Sequence, residues 1–142
     1  MYLLLFVMSF YTKSFAQSPR EKIYTPLSPK PIGPYSQGIL VNNTLYIAGQ
    51  IALDTAGKMD TSDINVEIGR ILHNIEHILE AAHMDFDHVV KTTIYLTDLK
   101  YFAKVNEWYA NYFKHSLPAR ETVELKALPK GAHIEISAVA VR

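Results

Sequence analysis

Isoleucine returns at steps of four and three through the middle of the chain: Ile64, Ile68, Ile71, Ile75 and Ile78, with Ala82 next in the series. That spacing is the period of one helical face. A helix over residues 64–82, about 28 Å long at 1.5 Å per residue, carries its apolar stripe on one side only. Most of the stability of such a helix comes from packing that stripe, so it needs a surface to lie on. Ser62 or Asp63 suits its N-cap, and Glu67 falls in its first turn.

Strands supply the surface. Val90, Thr92, Ile94 and Leu96 alternate with Val89, Lys91, Thr93 and Tyr95. Ile134, Ile136, Ala138 and Ala140 alternate with His133, Glu135, Ser137 and Val139. Both patterns are those of half-buried strands. Shorter β-type runs lie at 22–25, 37–41, 44–48 and 121–125, and Asn42-Asn43 suits a tight hairpin between two of them. A second helix is expected from Thr97-Asp98 to about Phe113, with Phe102, Val105, Tyr109 and Tyr112 as its apolar stripe. The order β-β-β-α-β-α-β-β predicts an α+β, two-layer fold, a mixed sheet with two helices on one face. Val89, Val139 and Val141 then make the other face partly apolar, which points to association with further copies of the chain.

The 142 residues suffice for one domain with a core of its own. The absence of cysteine excludes disulfides, a thiolate nucleophile and cysteine-ligated metal or iron–sulfur centres. Fourteen basic residues balance fourteen acidic ones, which removes the bulk electrostatic case for nucleic acid. Residues 1–12 carry no charged side chain, and their run is too short to span a bilayer. Ser14 and Ala16 follow with the spacing of a signal-peptidase box. Residues 1–16 are therefore expected to be a signal peptide and 17–142 the folded domain, exported to the periplasm or secreted. The alternative is a cytoplasmic protein. No stable membrane anchor is expected.

Three groups of residues could carry chemistry. His73-Asn74-Ile75-Glu76-His77 matches the inverted zinc-protease pattern. With Ile71 set at zero, however, His73 and His77 fall near 200° and 240°, away from the sheet, so no metal site is expected there. Pro26, Pro29, Pro31 and Pro34 stiffen one extended loop, which suits a segment that presents side chains. Arg120, behind Pro118 at the start of a strand, suits bidentate capture of a carboxylate or phosphate, unless it pairs with Glu121 or Glu124. Glu135 lies mid-strand and faces away from Ile134 and Ile136, towards the face expected to meet another subunit. There a carboxylate could orient water or pass protons.

Seven blocks now stand together: Ile32–Gly38 (IGPYSQG), Ala48–Ile51 (AGQI), Val89–Leu99 (VVKTTIYLTDL), Val105-Asn106, Leu117–Leu125 (LPARETVEL), Leu128–Ala132 (LPKGA) and Ile134–Val141 (IEISAVAV). In this order they resemble the RidA/YjgF reactive-intermediate deaminase family, formerly the L-PSP endoribonuclease family, from about Lys22 to the C-terminus. The resemblance implies a chorismate-mutase-like fold, a homotrimer and sites in the clefts between subunits. It implies hydrolysis of 2-aminoacrylate, 2-iminobutanoate and related imino acids to 2-oxo acids and ammonia, without a cofactor. Residue by residue, it implies that Arg120 clamps the substrate carboxylate and that Glu135 orients the attacking water. It places Tyr35, Asn106, Gly49 and Thr122 around the substrate. Thr122 stands where many members have cysteine, and Ala48 where many have a hydroxyl residue. The older name carries a second reading, ribonuclease. A third is a trimeric small-carboxylate binder or chaperone-like protein without catalysis.

Overall fold

The structure, a computed structural model, describes residues 19–142. The expected signal peptide and its cleavage point lie outside the described residues. Six strands form one sheet: β1 (Arg20–Ile23), β2 (Gly38–Val41), β3 (Thr44–Gln50), β4 (Val89–Leu96), β5 (Ala119–Glu124) and β6 (Ile134–Val141), in the order β1-β2-β3-β6-β4-β5. All pairings are antiparallel except β4 with β5, the two strands joined through a helix. Helices α1 (Ile64–Ala81) and α2 (Phe102–Tyr112) complete the expected α+β arrangement.

The isoleucine stripe behaves as its period requires. Ile68, Ile71, Ile75 and Ile78 are almost fully buried and meet Leu45, Ile47, Ile94, Leu96, Ile134 and Ile136 of the sheet in one core. Asp63 caps α1, its side chain accepting from the Asn65 amide at 2.7 Å. Asn42 takes φ 54° in the β2–β3 hairpin, the left-handed conformation that asparagine tolerates. Among the described residues no helix is long and apolar enough to cross a membrane.

Two expectations about side-chain direction are corrected. Val89, expected on the open face, is buried, and Val90, expected inside, is 48% exposed. The β4–β6 register shifts between Val89 and Lys91, and one extra residue in a strand reverses its alternation. In the second helical segment, Asp98 caps a 3-10 turn at Leu99–Tyr101 before α2 begins. The α2 stripe is Val105 and Tyr109, continued by Phe113 just past the helix, rather than one led by Phe102, which is exposed. Phe102 instead lies beside Arg120.

The proline loop is held from beneath by Gln37. Its amide nitrogen donates to the carbonyls of Thr25, Ser28 and Pro29, and its oxygen accepts from the Thr25 amide at 2.7 Å. One buried amide group thus satisfies four backbone groups of a segment that belongs to no strand.

Candidate active site

The candidate residues fall into two groups on opposite faces of the sheet. The first group surrounds a cavity of about 330 Å³ between the proline loop and the central strands β3 and β6. Tyr35, Ala48, Gly49 and Glu135 line it, with Pro29, Pro31, Ile32 and Ile51 as apolar wall. Tyr35 is fixed by its own loop: its amide donates to the Gly33 carbonyl, and its hydroxyl accepts from the Ile32 amide at 3.2 Å. That bond uses an oxygen lone pair and leaves the phenolic proton to donate elsewhere.

Glu135 projects from β6 between the buried Ile134 and Ile136, so it faces away from the helices as expected. Burial disfavours its charged form and pushes its pKa above the ordinary carboxylate range. The β3–β6 register shifts between Ile47 and Gln50, which places Ala48 and Gly49 in an irregular stretch beside Glu135. Gly49 is required there for space. A Cβ at this position would overlap the Glu135 carboxylate, coming 2.7 Å from its Cδ. Gly49→Ala is accordingly expected to displace the Glu135 carboxylate from its half-buried position and bring its carbon-13 titration midpoint down towards the ordinary glutamate range. A midpoint unchanged from wild type would show that Glu135 does not depend on Gly49.

The second group lies at the β5 edge. Arg120 donates to Asn106 Oδ1 at 2.7 Å, from a strand to a helix. Its guanidinium carbon stands 5.3 Å from the Phe102 ring centre and 5.0 Å from that of Tyr109, near enough for cation–π attraction. Tyr109 is itself tied to Thr92 by a 2.7 Å hydroxyl bond. Neither carboxylate expected as an alternative partner reaches Arg120. Glu121 pairs with Lys91 at 3.1 Å, and Glu124 accepts from the Leu99 amide. The guanidinium is therefore held by one neutral amide oxygen and two rings, and its charge is left for an anion. Thr122 follows two residues on, on the same side of β5, which ends the sheet.

Thus the structure unites Tyr35, Gly49 and Glu135, and separately unites Arg120 and Asn106 with Thr122 beside them. Within one chain it does not bring the groups together. Arg120 contacts α2 on the helical face, and two strand steps separate β5 from β6.

The helical histidines stay apart from both groups. His73 Nδ1 lies 3.1 Å from Glu76, and His77 Nδ1 lies 2.9 Å from the Leu27 carbonyl. Among the described residues no three His, Asp or Glu side chains are gathered to hold a metal ion. Lys30 also lines the cavity, and its position between Pro29 and Pro31 is the sequence signal that points to it.

Three comparisons bear on this arrangement. A family model described as Endoribonuclease L-PSP matches residues 25–142. A RutC family protein of Pyrococcus horikoshii is 49% identical over 124 residues, covering 87% of this chain and 98% of its own. The human protein named 2-iminobutanoate/2-iminopropanoate deaminase is 47% identical over 124 residues, 87% of this chain and 90% of that one. Among solved structures, the Rid-family protein YyfA of Yersinia pestis superposes with a TM-score of 0.84 at 42% identity, over 87% of this chain and all of the other. The YjgF gene product of E. coli gives 0.81 at 38% identity, over 86% and 98%.

Proposed function

As this chain belongs to the RidA/YjgF family, we propose that it hydrolyses 2-imino acids to 2-oxo acids and ammonia, in sites assembled between the subunits of a homotrimer. The observation that carries the reading is the separation of the two groups. An unneutralised Arg120 and a desolvated Glu135 stand on opposite faces, and a neighbouring copy is needed to bring one to the other. The deaminase name of the human relative supports the chemistry.

In this reading Arg120 binds the substrate carboxylate through paired N–H bonds, and Asn106 holds the guanidinium at the required angle. The Tyr35 hydroxyl donates to the substrate from the other side of the cleft. The imine carbon is already electrophilic, so positioning supplies much of the barrier reduction. Ionised Glu135 accepts a proton from water as its oxygen bonds to the imine carbon. The C=N double bond becomes a single bond in the resulting carbinolamine. Glu135 returns that proton to nitrogen, completing the amine; it then takes the carbinolamine hydroxyl proton and passes it to the same nitrogen, so that the C–N bond breaks and ammonia leaves as the carbonyl forms. Atoms balance with one water consumed, and no electrons are transferred.

The test is release of 2-oxobutanoate from freshly generated 2-iminobutanoate, measured above the rate in buffer. Turnover is expected from the wild-type protein, and a rate equal to buffer would sink the proposal. The pH dependence has a defined sign. Only ionised Glu135 can take the water proton, so kcat should fall as pH drops through a pKa above the ordinary carboxylate range. A kcat flat to below pH 4 would remove Glu135 from that role.

A further inference from the structure

Glu67 is the one carboxylate with no exposed surface among the described residues, and no step above uses it. It lies in the first turn of α1, surrounded by the isoleucine core. Burying a carboxylate there is costly unless its oxygens are fully engaged. They are. Oε1 accepts from the His133 amide at 2.7 Å and the Ile134 amide at 3.2 Å, and Oε2 lies 3.0 Å from His133 Nδ1. The His133 ring, partly exposed, leans on Tyr101 with 5.5 Å between ring centres. The His133 carbonyl accepts from the Thr97 amide at 3.0 Å.

The two amides held by Glu67 belong to the residues immediately before Glu135. We infer that Glu67 is a positioning residue for Glu135: it anchors the start of β6 to α1 and so sets where the Glu135 carboxylate stands against Gly49. The inference rests on the reading of Glu135 as the water-activating group. An apolar side chain would fill the same space in the core but leave two backbone donors, one buried and one part-buried, without partners. The strand would then open towards water at the residue that precedes Glu135.

The experiment compares two neutral replacements, Glu67→Leu and Glu67→Gln, in the full chain. Glutamine keeps an oxygen for both amides, and leucine does not. One readout is kcat and KM on 2-iminobutanoate. The other is the carboxyl carbon-13 titration of Glu135, assigned by its loss in Glu135→Gln, which needs no turnover. Glu67→Leu is expected to lower kcat about tenfold or more with KM nearly unchanged. It should also bring the Glu135 midpoint down towards the ordinary glutamate value as water reaches it. Glu67→Gln should keep most of both. A folded Glu67→Leu with wild-type kcat and midpoint would overturn the inference, as would a Glu67→Gln that falls as far as leucine. Where Glu67→Leu does not fold, Glu67→Asp serves: one methylene shorter, it cannot hold both amides and should show the same loss, and wild-type values would again overturn the inference. If the wild type proves inactive while the titration contrast appears, the deaminase reading fails and the positioning role stands. If the wild type turns over without the contrast, only the positioning role fails.

Discussion

Arg120→Ala is expected to lower kcat/KM for 2-iminobutanoate by roughly a hundredfold to a thousandfold, the result of losing a charged, partly desolvated hydrogen-bonding partner worth about 3–4 kcal/mol. The residue is prepared for an anion. Asn106 orients it, the Phe102 and Tyr109 rings pack against it, and neither Glu121 nor Glu124 neutralises it. Arg120→Lys should recover little, because an ammonium lacks the planar fork and cannot keep the Asn106 bond while holding two carboxylate oxygens. Folding should change less than activity, since Arg120 is only half buried. Kinetics of both variants beside a thermal melt separate the effects. Activity within threefold of wild type in a folded Arg120→Ala would exclude Arg120 as the carboxylate clamp.

Glu135→Gln should leave KM nearly unchanged and lower kcat about a hundredfold to a thousandfold, the usual worth of a positioned base. Size and shape are preserved, so the cavity and the contact with Gly49 remain. The sign of the stability effect differs from that of the activity effect. Burial raises the folded-state pKa, so the protonated form is favoured in the fold. The stabilisation is complete below the unfolded-chain pKa and is lost as pH rises through the folded one. A permanently neutral glutamine is therefore expected to fold at least as well as wild type at pH 7, with its activity lost. A variant that loses stability and activity together would point to a structural role for Glu135.

Much of the fold was legible because its signals are local. The isoleucine period, the alternation in β6 and the Asn42-Asn43 turn each report on a few neighbouring residues, and each reads true. Val89 and Val90 take the faces opposite to those their alternation predicts, because a bulge depends on the partner strand and nothing in V-V-K-T-T announces it. Phe102 resembles a core residue by spacing, yet its neighbour is a cation that arrives from β5. Glu67 is a different case. It stands about 40° from Ile71 on the helical wheel, within the core arc, so its burial was readable from the spacing that placed the isoleucines. For the site, the residue types of Arg120 and Glu135 suggested their chemistry. The direction of Glu135 is in the β6 alternation, but that Arg120 faces the helices follows from its pairing with the buried Thr92, and the two strand steps between them from the sheet order, neither of which a local pattern encodes.

The account stands on a site completed by two chains, and subunit mixing tests that most directly. Arg120→Ala and Glu135→Gln, each expected to keep at most about a hundredth of the activity alone, are unfolded together, refolded as mixed assemblies and assayed on 2-iminobutanoate. With random assembly, about a quarter of the clefts join an intact Glu135 on one chain to an intact Arg120 on its neighbour. The mixture should therefore recover about a quarter of wild-type activity. Mixed assemblies that stay as inactive as either parent would contradict a site shared between subunits.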